Sequence, residues 1–161
     1  MPGPRDRPTT QNGGPMLQLD SFIPYRINVL AKRISKALAT RYQEQFGISV
    51  PEWRVLAILG REQPLSSNDL VERSQMDKAK VSRAVAALVD RGFLSRAVHP
   101  DDQRLLQLRF TAAGRALYER IAPLALAWQQ QLLDALPPDD RAALTRLIDR
   151  MEERLREMDG V

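Results

Sequence analysis

The chain has 161 residues, 24 Lys and Arg against 20 Asp and Glu, and 43% hydrophobic content. That is enough mass for a real core in one domain or two interlocked ones, with no uncharged apolar run long enough for a membrane-spanning helix. Zero cysteines exclude disulfides, thiolate metal sites and cysteine redox sensing, so a cytoplasmic setting is expected. Residues 1–16, rich in Pro and Gly and without an apolar segment, read as a flexible arm rather than a targeting signal.

Apolar residues Ile23, Ile27, Leu30, Ile34, Leu38 and Tyr42 recur every three or four positions, which predicts one long helix from Leu19 to about Phe46. Ser49, Pro51 and Glu52 form a capping box with proline in the first turn, starting a second helix that stops near Gly60. Ser66 or Ser67 caps a short third helix ending about Ser74. Asp77 is the expected N-cap and Gly92 the left-handed terminator of a fourth helix, Lys78 to Arg91. Val81, Val85, Leu88 and Val89 share one sector of that helix, so Ala79, Lys80, Arg83, Ala87 and Asp90 should face outward. Small residues between long cations let a backbone sink into a nucleic-acid groove while the cations reach sideways.

After Gly92 the period becomes two, predicting strands over Phe93–His99 and Leu105–Phe110, joined at Pro100 to Gln103 with Arg104 near the tip. The segment Asp77–Phe110 holds seven cations against four anions. A short helix, a break, a basic helix and a basic hairpin in that order make a winged helix-turn-helix, so the fold class is mainly α (α+β). Thr111 caps a fifth helix running past Pro123, which should kink it. Pro137 and Pro138 open a last helix with a stripe of Leu144, Leu147, Ile148, Met151, Leu155 and Met158. That stripe is either intrachain core or the interface of a dimer. The resulting division is 1–16 as arm, 17–48 and 115–161 as a helical dimerisation layer from the N- and C-terminal helices, and 49–114 as the DNA-binding unit with a two-stranded wing.

Asp102-Gln-Arg104 followed by Leu108-Arg-Phe-Thr111-Ala-Ala-Gly114, together with Val81-Ser-Arg83 and Leu88-Val-Asp-Arg-Gly92-Phe-Leu, resembles the MarR family of bacterial winged-helix transcription regulators across about Leu17 to Met158. The resemblance implies an obligate homodimer whose first, fifth and last helices form the two-fold interface. Its two recognition helices would enter successive major grooves of a pseudo-palindromic operator. Lys80 and Arg83 are then expected at base edges or close phosphates, with Lys78, Ala79, Ser82, Ser66, Ser67 and Asn68 along the backbone. Arg104 would enter the minor groove, its guanidinium oriented by Asp102.

Relatives in this family are commonly switched by small molecules, often aromatic acids. Tyr25, Arg26, Phe46 and Trp53 are the candidate walls and cation for such an effector, and equally read as ordinary core and a surface ion pair. No cofactor and no metal site is expected. His99 lies in the wing without an evident catalytic partner, so the chain does not read as an enzyme. The expected partners are double-stranded DNA, a second copy of the chain and a small aromatic acid. An architectural DNA binder, a ligand-independent regulator and a helical protein–protein adaptor are the alternatives.

Overall fold

The computed structural model of the protein describes residues 16–98 and 106–160. Its elements are α1 (Ile23–Ala39), α2 (Gln43–Phe46), α3 (Val50–Arg61), β1 (Leu65–Ser66), α4 (Ser67–Ser74), α5 (Lys78–Asp90), β2 (Leu94–Val98), β3 (Leu106–Phe110), α6 (Ala112–Leu133) and α7 (Pro138–Asp159). The strands form one antiparallel sheet in the order β1-β3-β2. Leu94 stands opposite Phe110 and Val98 opposite Leu106, while Leu65 and Ser66 pair with Leu108 and Gln107.

The core is one cluster. Tyr42, Ile48, Val55, Leu56 and Leu59 pack with Leu65, Leu70, Val81, Val85, Leu88, Leu94, Leu108, Leu117 and Ile121, all buried. It sits where α3, α4 and α5 meet the sheet and the first half of α6, and these apolar side chains supply most of the driving force. Gly114, in the first turn of α6, lies against the backbone of Phe93, and a Cβ there would collide with the Phe93 carbonyl oxygen. Thr111 ties the same junction by accepting from the Gly114 N–H at 3.0 Å and donating to the Gly92 carbonyl at 2.6 Å.

Two expectations from the sequence need correction. The first helix is not continuous from Leu19 to Phe46: it starts at Ile23, where Pro24 occupies the first turn, and ends at Ala39. Tyr42 leaves helical geometry and is buried with its ring 5.7 Å from that of Trp53, and the chain resumes helix only for Gln43–Phe46. Burying that aromatic against α3 outweighs one more turn of solvated helix. The sheet also has a third strand, β1, that the two-stranded wing omitted. Helix α6 contains Pro123 and runs on to Leu133.

Helix α7 buries none of its residues. Leu147, Ile148, Met151, Leu155 and Met158 are exposed along it, as are Ile23, Ile27 and Leu30 of α1 and Leu124 and Leu132 of α6. Within the single chain this stripe is therefore not core. No helix among the described residues is long and apolar enough to cross a membrane.

Candidate nucleic-acid interface

The interface begins with two capped helices. Ser66 accepts from the Asp69 N–H at 3.2 Å and Asp69 accepts from the Ser66 N–H at 2.7 Å, a reciprocal box that fixes the start of α4 with Ser67 and Asn68 exposed. Gln75 ends α4 in the left-handed region, φ 54°. Two residues later Asp77 caps α5 by accepting from the Lys80 N–H at 2.8 Å, and its other oxygen lies 3.3 Å from Lys80 Nζ. Both carboxylates are held below the ordinary aspartate range. For Asp69 the leading cause is the Ser66 hydroxyl, and for Asp77 it is the Lys80 backbone N–H.

Because the folded carboxylate of Asp69 titrates lower than the unfolded one, its contribution is complete above the ordinary aspartate pKa and is lost as pH falls through the folded value. An Asp69→Asn variant is expected to lose stability at neutral pH and to show a shallower decline below about pH 4 than the parent, read as urea midpoints across pH. Parallel curves would remove this capping carboxylate from the acid response.

Helix α5 divides as its sequence predicts. Val81, Ala84, Val85 and Leu88 are buried, Val89 is half-buried, and Lys78, Ala79, Lys80, Ser82 and Arg83 are exposed on the other side. Ala87 is half-buried rather than outward. The exposed residues sit on a rod clamped from beneath by α3 and α4, so their backbone positions are preset before any partner arrives. Asp102 and Arg104, like His99, lie outside the described residues. The strands that lead to them, β2 and β3, are in register over five residue pairs.

At the far end of α5 stands a contact that local sequence spacing does not reveal. Arg91 donates through Nη1 to the Gly47 carbonyl at 2.9 Å and to Glu52 Oε1 at 3.3 Å, and through Nη2 to the Phe46 carbonyl at 3.1 Å. Its guanidinium lies 5.0 Å from the centroid of the Phe93 ring. Glu52 is 7% exposed and its second oxygen accepts from the Ser49 N–H at 2.6 Å. One guanidinium thus closes the carbonyl end of α2, pairs with the carboxylate that caps α3, and terminates α5.

The four candidate effector residues do not line one concavity within the chain. Tyr25 and Arg26 line a cleft of about 590 Å³ along α1, together with Ile27, Leu30 and Arg33. Phe46 lines another with Phe93 and Leu117, and the Arg120 guanidinium stands 4.8 Å from its ring centroid. Trp53 is stacked on Tyr118 with centroids 6.1 Å apart and packs beside Tyr42. Burial pushes the Tyr42 phenol above its usual range, with Arg54 opposing it.

A MarR family model matches residues 46–105, which span α3 to β2 and the residues that follow it. The chain is 24% identical over 127 residues to YdgJ, an uncharacterized HTH-type transcriptional regulator of Bacillus subtilis, covering 79% of this chain and 77% of that protein. A MarR/EmrR family transcriptional regulator from Acinetobacter sp. ADP1 superposes with a TM-score of 0.79 at 26% identity, over 88% of this chain and 99% of the other. The PcaV transcriptional regulator from Streptomyces coelicolor, solved in complex with its natural ligand, gives 0.72 at 25% identity, over 86% and 96%. Residues 46–105 thus match the MarR family, and over 88% of its length the chain has the fold of a MarR/EmrR family transcriptional regulator.

Proposed function

We propose that the chain is a homodimeric repressor that binds a pseudo-palindromic operator and is released by a small aromatic carboxylate. Residues 49–114 serve as the DNA-binding unit, and residues 17–48 and 115–161 as the dimerisation region. The observation that carries this reading is the sorting of α5: every cation of its first two turns is exposed while its opposite side is sealed in the core. Lys80 and Arg83 read base edges or grip the nearest phosphates, Lys78, Ala79 and Ser82 follow the backbone, and Ser66, Ser67 and Asn68 hold the opposite strand from the start of α4. Arg104 enters the flanking minor groove, with Asp102 behind it. A dimer seated on a promoter excludes polymerase, and that is repression.

The effector reading is supported by the cleft that Tyr25 and Arg26 share, an aromatic wall beside a cation, and by the relative solved with its ligand. Phe46 and Trp53 stand in separate settings and would join only through movement of α2 against α3. A ligand acts here by binding better to a dimer whose reading rods are mis-spaced, and it shifts DNA binding by no more than that difference in affinity.

Gel shifts on genomic fragments with Arg83→Ala test the DNA assignment. A bidentate base contact is worth about 1–3 kcal/mol, so each protomer's loss weakens specific binding at least about fivefold, and the two together at least about thirtyfold, while leaving binding to random DNA nearly intact. Undiminished operator affinity for both Arg83→Ala and Arg104→Ala would sink it. Release of the operator by aromatic carboxylates that also raise the melting temperature tests the effector.

A further inference from the structure

The first turn of α3 separates two concavities. On one side Ser49 and Pro51 face Lys80 and Arg83 of α5 across a hollow of about 410 Å³. On the other side Val50 and Arg54 face α1 across a cleft of about 470 Å³. Ala31, Ser35 and Ala39, each four positions from the next, line its α1 wall, and Lys32 and Lys36 stand at its rim. Arg54 Nη2 donates to Ser35 Oγ at 3.4 Å, which holds the guanidinium across the cleft toward α1.

Three features point to a polyanion on this second surface. Lys32 and Lys36 repel one another at the four-residue spacing, and Arg54 adds a third positive charge beside them. Among the described residues none of the three is in an ion pair. At about 100° per residue the two lysines project roughly half a turn away from the Ile23, Ile27 and Leu30 stripe, so covering that stripe leaves them in solvent. The surface also adjoins the reading rod: the first turn of α3 lies between the hollow lined by Lys80 and Arg83 and the cleft lined by Arg54, Lys36 and Lys32, and the two carboxylates along this strip are both engaged, Glu52 by Arg91 and the Ser49 N–H and Asp77 by Lys80.

We infer that the Lys32, Lys36 and Arg54 part of this strip is a second docking surface for duplex DNA, and that it takes the phosphate backbone flanking the groove in which α5 sits. The inference rests on the DNA-binding role of α5 proposed above and extends its footprint outward from each half-site. A strip of lysines and one arginine with no base-reading geometry grips phosphates whatever the sequence, so it adds affinity and salt dependence and leaves operator choice to α5 and the wing.

The test compares the full chain with the triple variant Lys32→Ala, Lys36→Ala, Arg54→Ala, and with the milder Lys32→Gln, Lys36→Gln. Each is measured on two duplexes of the same operator, one trimmed at the half-sites and one extended by about one helical turn (~10 bp) on each side. On the extended duplex the triple variant is expected to flatten the slope of log K against log salt by about 0.9 for each phosphate that is no longer neutralised, up to about 5 when all three cations are removed from both protomers of a dimer. Operator and random DNA of that length should lose affinity by the same factor. On the trimmed duplex both variants should match the parent. An unchanged slope on the extended duplex for both variants, or a loss of equal size on the trimmed one, overturns the inference. So does the outcome in which phosphate or citrate stabilises the parent but not the variants while DNA slopes coincide, which would make the cleft a small-anion site. Failure of the parent itself to bind either duplex would instead overturn the DNA-binding role of α5.

Discussion

Replacing Gly114 with alanine is expected to destabilise the fold by about 3 kcal/mol or more, the upper range for inserting a group into packed structure. The expectation runs against helix propensity, which favours alanine over glycine by about 1 kcal/mol inside a helix. Space decides it. The new Cβ would meet the carbonyl of Phe93, a backbone atom that also accepts the Thr111 N–H, and the Phe110 ring closes the remaining side at 3.2 Å. Neither neighbour can swing away without opening the junction between β2, β3 and α6. Against a typical total stability of about 5–15 kcal/mol, urea unfolding should show a large fall in midpoint with the slope retained. Gly92→Ala makes a useful contrast. It has open space around it but a φ of 76°, so it should cost about 1–2 kcal/mol through backbone strain alone. Equal losses at the two positions would contradict the close-approach account of Gly114.

The second large effect concerns the uncovered stripe of α7. Leu147 and Leu155 lie eight residues apart on one side of a helix that buries nothing of its own, and both are more than half exposed. Apolar surface of that extent, continued on α1 and α6, marks an interface, and two-fold pairing covers it on both copies at once. In the proposed two-fold dimer the double variant Leu147→Glu, Leu155→Glu places four carboxylates in the interface, each costing about 2 kcal/mol or more when desolvated. The dissociation constant should rise at least about a thousandfold, three steps of 1.4 kcal/mol. Sedimentation at micromolar concentration should then find monomers where the parent is dimeric, with helix content retained and operator binding lost. A variant that remains dimeric would move the interface elsewhere.

The DNA-facing half of the molecule was legible because its signals are local. Asp77, the apolar spacing of Val81, Val85 and Leu88, and Gly92 lie within one turn or two of what they determine, and α5 falls between them with a boundary shift of one residue. Non-local features were not legible. Tyr42 continues the helical spacing of α1, and its burial beside Trp53, eleven residues on, and the rest of the core is not visible in that spacing. A strand of two residues such as β1 has no period to detect, and its identity comes from pairing with Leu108 and Gln107. The link from Arg91 to Glu52 spans 39 residues. The effector set was assembled by residue type, and the fold distributes its members among different settings. Asp102 and Arg104, which carried the wing assignment, lie outside the described residues, so that assignment stands on the motif and on β2 and β3.

Arg91 gives the architecture a division of labour. The attitude of α5 is decided at its trailing end by a fastening whose partners are two carbonyls and a buried carboxylate. Residues 78–83 are thereby excused from structural duty on their outer side. Under the function proposed above, operator preference can drift through substitutions there while the pitch at which twin rods meet a duplex is inherited unchanged from the joint behind them.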